Sequence, residues 1–154
     1  MDTGGFDTLD IVLRLVAATA IGMALGLERA LRGKPTGMRT LGLVSFGSAL
    51  VSLGMGYAPG IHETVDAFGR VLQGAEQGVL VGIGFLGGGI ILRDLTDKRI
   101  FNLTTAAEVW VIAAMGLVAG VAPWVITGAG VVIMAVLIVL CRMIETKFNL
   151  KDHS

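Results

Sequence analysis

Five apolar runs of about 20 residues, each the length that lets an α-helix cross a bilayer, constrain the fold of this chain most strongly. They cover residues 10–28, 40–58, 71–92, 103–121 and 123–142, with short polar or Pro/Gly segments between them. A helix of a soluble bundle would carry a charged face, and these runs do not. The chain is 54% hydrophobic and only 16% charged, which is also typical of membrane proteins. We therefore predict an all-α polytopic membrane protein with five transmembrane helices.

The positive charges predict how these helices are oriented. Ten of the 12 Lys and Arg residues lie in the loop between spans 1 and 2, in the loop between spans 3 and 4, or in the C-terminal tail. By the positive-inside rule these segments face the cytoplasm, so the N-terminus is outside and the C-terminus is cytoplasmic. Residues 1–145 form one predicted membrane domain and residues 146–154 a short cytoplasmic tail. Arg14, just inside the first span, is expected to snorkel outward.

Charge and motif spacing argue against several other classes of protein. The formal net charge is zero, without the basic face that nucleic-acid binding requires. Cys141 is the only cysteine, so no internal disulfide forms, and no Cys/His spacing resembles a zinc site. The histidines, His62 and His153, give no Ser or Cys nucleophile a partner at a suitable depth, so we predict no enzyme activity and no catalytic residues. The residues before Arg14 lack the basic start of a cleavable signal peptide, so the first apolar run is expected to stay in the mature protein.

The third run contains GIGFLG, a literal match to the dinucleotide-binding fingerprint. That fingerprint requires a strand before it and a βαβ unit around it, whereas here it lies inside an apolar span. We interpret the glycines as helix-packing residues, because small side chains let membrane helices approach closely. The alternative is a helix that breaks at residues 87–89 and directs backbone groups into a cavity. The predicted packing residues are Gly74, Gly78, Gly82, Gly84, Gly87, Gly88 and Gly89.

Small residues at helical spacing also occur in the other spans, so we expect the third helix to be central and to be touched on two sides. In lipid, faces of this kind bring helix backbones together. The small residues of spans 1, 2 and 4 are Ala18, Gly22, Gly26, Ser48, Ser52, Gly56, Gly116 and Gly120.

Two carboxylates, Glu76 and Glu108, lie within predicted spans. Intramembrane carboxylates are costly and usually face the bundle interior or water. Glu76 lies near the outer surface, and we interpret it as an interfacial residue. Glu108 shares a helix face with Thr104, and it is either a functional group or a protonated carboxyl bonded to a neighbour. Glu28 and Arg29, at the end of the first span, are expected to pair locally.

Three ordered motifs lie in the predicted cytoplasmic half: GLERALRGKPTGMRT at 26–40, GIGFLGGG at 82–89 and NLTTAAEVW at 102–110. In residue types, order and spacing they resemble the MgtC/SapB family of bacterial inner-membrane proteins. The resemblance extends from about Leu13 to Gly120. It departs from the family pattern at Asn102, where Gly is usual, and at Glu108, where a small or hydroxyl residue is common.

The resemblance implies a five-helix protein of the bacterial inner membrane, associated with adaptation to magnesium limitation, acid stress or host survival. Members have been labelled magnesium transporters. The best-studied branch is described as a regulator of membrane partners, including the proton-driven ATP synthase, and carries a soluble C-terminal domain. Only about ten polar residues follow Ile144 here, so the chain resembles the short, membrane-only branch. Functions of the soluble domain are not carried over.

Two functional hypotheses follow from the motifs and the resemblance. The first is a non-enzymatic regulator or stress-adaptation factor, and the alternative is a small Mg²⁺ or proton-linked transporter that uses Glu108. The expected partners are the lipid bilayer, a second copy of the chain and another membrane protein, but no nucleic acid. No cofactor is predicted and the metal is undetermined, with Mg²⁺ as the candidate ion. The predicted functional residues are Glu28, Arg29, Lys34, Pro35, Gly37, Arg39, Thr104, Thr105, Glu108 and Trp110.

Overall fold

A computed structural model describes residues 7–34, 36–55, 65–93 and 100–147 of the chain. Two short strands, β1 (Leu92–Arg93) and β2 (Ile100–Phe101), pair antiparallel between the third and fourth helices. The rest of the regular structure is helical, so the predicted all-α class is confirmed. The five helices are α1 (Thr8–Leu31), α2 (Met38–Met55), α3 (Val65–Ile90), α4 (Leu103–Val121) and α5 (Trp124–Lys147).

Each predicted span coincides with one helix to within a few residues. Among the described residues, α1, α2, α4 and the Trp124–Cys141 part of α5 are long and apolar enough to cross a membrane. With 26 residues, α3 is about 39 Å long, but its first half carries Asp66, Arg70 and Glu76 and is more polar than the other helices. The chain is therefore a helical membrane protein with at least four apolar helices. Its fifth span and its orientation stay predictions.

The centre of the bundle is formed by α2 and α4, and α1 packs against both of them. Glycines set the distance at these contacts. A Cβ added at Gly22 in α1 would overlap the carbonyl oxygen of Leu41 and lie 2.9 Å from the Cβ of Ser45. A Cβ at Gly116 in α4 would overlap the carbonyl oxygen of Ser45. Because backbone atoms occupy the space that a side chain would need, these helices approach closely only with glycine at both positions.

The third helix is not central, which corrects the prediction from the sequence. It packs against α4 and α2 with a face that contains buried Ile83 and Gly87. Among the described residues, Gly87 is the one predicted packing glycine of seven at which an added Cβ would meet another atom within 4 Å, the Ala106 Cβ at 3.7 Å. The helix is also continuous to Ile90, so the alternative of a break at residues 87–89 is wrong. At six positions an added Cβ would meet no atom of the described residues within 4 Å: Gly74, Gly78, Gly82, Gly84, Gly88 and Gly89.

Arg14 is buried, with 5% of its surface exposed, and does not snorkel outward as expected. Its Nη1 donates to the carbonyl oxygens of Ala119 and Ala122, at 3.2 and 2.7 Å. Its Nε bonds the Asp10 carboxylate at 2.6 Å, and the guanidinium lies 5.0 Å from the ring centroid of Trp124. The last carbonyls of a helix lack intrahelical donors and favour a nearby cation. Arg14 therefore fastens α1 to the turn between α4 and α5.

Candidate functional site

The turn after α1 determines where the loop to α2 begins. The amide of Gly33 donates to the Ala30 carbonyl at 3.1 Å, and the amide of Lys34 donates to the Arg29 carbonyl at 3.2 Å. These two bonds form a Schellman motif, which requires a left-handed residue and finds it in Gly33, with φ +67°. Thr36 is also left-handed, with φ 62°. This sparsely populated backbone conformation for a non-glycine residue directs the Thr36 carbonyl back toward α1.

Arg29 occupies the centre of the site and is 1% exposed. Its Nη2 donates to the Thr105 hydroxyl at 2.6 Å, and its Nε donates to the Thr36 carbonyl at 3.4 Å. Its Nη1 forms an ion pair with the Glu108 carboxylate. We call these four residues, Arg29, Thr36, Thr105 and Glu108, the Arg29 clamp. A planar guanidinium with five donors meets three partners at fixed angles, which an ammonium group does not. The clamp joins α1, the α1–α2 loop and α4.

The pairing of the charges differs from the expected local Glu28–Arg29 pair. Arg29 reaches across the bundle to Glu108, and Glu28 pairs instead with Arg32 one helical turn later. The Glu28–Arg32 pair lies at the surface, where such pairs contribute little to stability. The Arg29–Glu108 pair is partly buried: the Arg29 side chain is 2% exposed, whereas that of Glu108 is 32% exposed. Because the guanidinium of Arg29 is buried, it needs hydrogen-bond and charge partners within the protein.

A cavity of about 320 Å³ opens beside the clamp, between α1, α4 and α5. Each of the three helices contributes residues at positions i, i+3, i+4 and i+7, which form one helix face. We call this cavity the α1/α4/α5 pocket. It is lined by Leu25, Glu28 and Arg29 of α1 and by Arg32 directly after it, by Lys34 of the loop, by Thr104, Ala107, Glu108 and Val111 of α4, and by Met134, Leu137, Ile138 and Cys141 of α5.

The structure brings some of the predicted functional residues together and leaves others apart. Gly37 lies at the α1–α2 contact, where its carbonyl carbon is 2.9 Å from the position of a Cβ at Gly26. Arg39 and Trp110 are exposed and do not line the pocket. Pro35 lies outside the described residues. Six of the ten predicted residues belong to the clamp or the pocket: Glu28, Arg29, Lys34, Thr104, Thr105 and Glu108.

Two residues that hold the site were missed by the sequence reasoning. Thr36 contributes its backbone carbonyl, for which a side-chain motif gives no signal. Asn102 precedes α4 with φ 63°, and its Nδ2 donates to the Ile90 carbonyl at 3.3 Å, so it links the end of α3 to the start of α4. Besides glycine, asparagine is among the residues that adopt this left-handed conformation most readily. The φ angle therefore explains how Asn fits at a position where the resemblance leads one to expect Gly.

The pocket does not fit a magnesium-binding cage. Mg²⁺ requires a near-octahedral set of oxygen ligands, usually carboxylates and waters. Both carboxylates of the pocket are paired with arginines, Glu28 with Arg32 and Glu108 with Arg29. Within residues 7–34, 36–55, 65–93 and 100–147, no three His, Cys, Asp or Glu residues are grouped so that they could hold a metal. An ion bound here would first have to displace the arginines.

Comparison with known proteins identifies the family. Residues 15–147 match the family described as the MgtC family. Protein SrpB of Synechococcus elongatus is 40% identical over 126 residues, which are 77% of this chain and 67% of SrpB. The "Putative magnesium transporter YhiD" of Escherichia coli strain K12 is 38% identical over 113 residues, 73% of this chain and 52% of YhiD. Protein MgtC of Salmonella typhimurium strain LT2 is 33% identical over 138 residues, 90% of this chain and 55% of MgtC.

The chain thus spans about half to two thirds of the length of these relatives. No solved structure matches it. The family match begins in α1 and continues to the last residue of α5, so it includes every helix, the Arg29 clamp and the pocket. This chain therefore belongs to the MgtC family of membrane proteins.

Proposed function

We propose that this chain is a non-enzymatic regulator of the bacterial inner membrane, which acts in stress adaptation by binding another membrane protein through α3. The observation that carries the proposal is the outer face of α3. A Cβ at Gly74, Gly78 or Gly82 would meet no atom of the described residues within 4 Å. Beside these glycines, Phe85 and Val81 are 84% and 74% exposed. The face combines a groove of small residues with large apolar side chains at its edge.

The use of glycine elsewhere in the bundle supports this interpretation. Gly22 and Gly26 in α1, and Gly116 and Gly120 in α4, lie where two helix backbones meet. Inside the bundle, four-residue glycine spacing therefore coincides with close helix contact. In hydrocarbon, faces with small residues at this spacing associate by close packing. The same spacing at Gly74, Gly78 and Gly82 offers a second transmembrane helix an equivalent surface. A partner helix would gain the van der Waals contacts that lipid chains make less well.

Transport of Mg²⁺ or protons is the alternative, and two observations bear on it. In its favour, the relative YhiD carries a name that includes magnesium transport. Against it, the carboxylates of the α1/α4/α5 pocket are paired with Arg29 and Arg32, and the described part of the chain groups no three His, Cys, Asp or Glu residues that could hold a divalent cation. We therefore favour the regulator.

Site-specific crosslinking in native membranes tests the proposal. Gly82→Ile fills the α3 groove at a position where an added Cβ meets no atom of the described residues within 4 Å, so it should abolish the crosslink between α3 and its partner while the amount of folded protein stays unchanged. Gly84→Ile is the matched control, because it makes the same change on the same helix about 200° around the axis. The control should retain the crosslink. Growth at limiting magnesium should follow the same order, with Gly82→Ile impaired and Gly84→Ile normal.

A flux assay tests the alternative, that the chain transports Mg²⁺ or protons. Purified chain in proteoliposomes should carry no Mg²⁺ or proton flux above that of empty liposomes. Flux in the wild type that Glu108→Gln removes would favour the transporter and overturn the regulator. Equal crosslinking by the Gly82→Ile and Gly84→Ile variants would show that the α3 groove is not the binding surface.

A further inference from the structure

The α1/α4/α5 pocket changes from polar to apolar along the helix axes. Its ends are seven residues apart on each helix, which corresponds to about 10 Å. The polar end lies where α1 ends and α4 begins, next to the basic loop 32–37. The apolar end is lined by one residue from each helix, namely Leu25, Val111 and Met134. The polar end is lined by Arg32, Lys34, Thr104 and Cys141.

The pocket is also bounded on one side by a mostly exposed helix. One of its walls is α5, which packs mainly against α4 and leaves most of its length exposed. Leu137, in this wall, is 60% exposed, and Ile133 one turn away is 68% exposed. In a membrane-spanning bundle, a crevice bounded by such a helix faces lipid chains rather than water. An occupant can therefore reach the pocket from the bilayer.

The charges at the polar end favour an anion. Three basic side chains and two acidic ones line the pocket. The acidic Glu108 is held by buried Arg29, but the Glu28–Arg32 pair is at the surface, with both side chains about one third exposed. Arg32 can bind a second anion without leaving Glu28, because a guanidinium carries five donors. A phosphate group can then accept a bidentate bond from Arg32, which is the geometry that arginine forms with phosphate.

We propose that this pocket is a binding site for one anionic phospholipid. Its phosphate lies at the polar end beside Arg32 and Lys34, and the first part of one acyl chain lies along the apolar end. The cavity is at the lower end of the range for small-molecule sites, so the rest of the chain follows the exposed apolar side of α5. Basic pockets between membrane helices recognise anionic headgroups in this way. The proposal does not depend on partner binding through α3, which lies on a different surface.

The native chain carries its own reporter for this test. Cys141 is the only cysteine, it is exposed, and it lines the pocket. The full chain is reconstituted in nanodiscs of phosphatidylcholine, with or without phosphatidylglycerol, and the rate of Cys141 alkylation by a maleimide is measured. Phosphatidylglycerol should slow alkylation. Arg32→Gln should raise the phosphatidylglycerol fraction needed for half-protection about fivefold, the effect expected for one surface charge on an anionic lipid. Lys34→Gln should act in the same direction.

The matched control is Arg39→Gln, which removes an exposed positive charge near the same end of the bundle but outside the pocket. It should leave protection unchanged, and an equal effect would mean that general surface charge attracts the lipid. An equal alkylation rate in nanodiscs with and without phosphatidylglycerol would show that the pocket does not distinguish the anionic headgroup. Protection by inorganic phosphate alone would indicate a soluble anion as the ligand. Each of these results, or no protection at all, overturns the proposal, whereas one phosphatidylglycerol retained per chain in native mass spectrometry and lost in Arg32→Gln supports it.

Discussion

Glu28 and Glu108 are almost equally exposed, at 33% and 32%, yet they lie in different electrostatic environments. The partner of Glu28 is Arg32, a surface side chain that water solvates when the pair breaks. The partner of Glu108 is Arg29, which is buried and has no access to water. The cost of losing a carboxylate therefore depends on the burial of the cation it leaves behind. This difference is a property of the tertiary contact, and it follows from neither residue alone.

We predict that Glu108→Ala lowers the free energy of unfolding by about 2 kcal/mol, below the usual cost of breaking a fully buried pair because Glu108 is partly exposed. Glu28→Ala should cost less than about 0.5 kcal/mol, the value of a surface pair one turn apart. Unfolding by SDS titration in mixed micelles, followed by circular dichroism, measures both. Equal losses in the two variants would contradict the assigned role of Arg29.

The sequence identified Arg29 and Glu108 as candidates but not as partners. Arg29 and Thr105 are 76 residues apart, and no local pattern connects them. The same is true of Arg14, whose acceptors lie 105 and 108 residues away. An arginine near the end of a membrane helix usually extends its side chain so that the guanidinium reaches water. Arg14 is buried instead, because the carbonyl oxygens at the end of α4 lack intrahelical donors and accept hydrogen bonds from its guanidinium.

Glycine has different roles in the different helices of the bundle. In α1 and α4 it allows backbone contact, since Gly22 and Gly116 lie against the carbonyls of α2. In α3 most of the glycines face away from the described part of the chain. Four-residue spacing predicted small faces correctly in α1, α2 and α4, except that Gly56 lies outside the described residues. It did not reveal which of these faces meet, because a spacing rule defines a face and leaves its neighbour unspecified.

A pair of alanine substitutions separates these roles. Gly116→Ala places a Cβ against the Ser45 carbonyl and should destabilise the bundle by about 2–3 kcal/mol, the cost of overpacking. Gly82→Ala places a Cβ that meets no atom of the described residues within 4 Å, so it should be neutral or raise stability slightly, since alanine has the higher helix propensity. Thermal unfolding in detergent compares the two proteins. If Gly82→Ala destabilised the chain as much as Gly116→Ala, the packing assignment would be wrong.

At the scale of the whole molecule, the contacts determine the direction of each helix. The Arg29 clamp places the end of α1 beside the start of α4, and Asn102 places the end of α3 at that same end of the bundle. The start of α3 then lies toward the opposite end, because the helix is about 39 Å long. This arrangement is what five crossings require, although α3 is not among the four helices that are long and apolar enough to cross a membrane.

Topology mapping tests the five-span prediction. In a chain with Cys141→Ser, single cysteines replace exposed Arg39, Asp66 and Lys147. With the N-terminus outside, Asp66→Cys should react with an impermeant thiol reagent in intact spheroplasts. Arg39→Cys and Lys147→Cys should react only after the membrane is permeabilised. Reaction of Asp66→Cys on the same side as Arg39→Cys would mean that α3 does not cross the membrane.

The sequence by itself determined the helical class, the approximate bounds of all five helices and the family. These properties depend on local composition, because the bilayer demands a continuous apolar helix of set length and leaves few alternatives. Only the tertiary structure decided that α2 and α4 are central, that Arg14 is buried and that Arg29 pairs with Glu108. In a soluble protein the apolar face of a helix points to the core, but in a membrane helix nearly every face is apolar. Its sequence therefore does not distinguish the side that meets protein from the side that meets lipid.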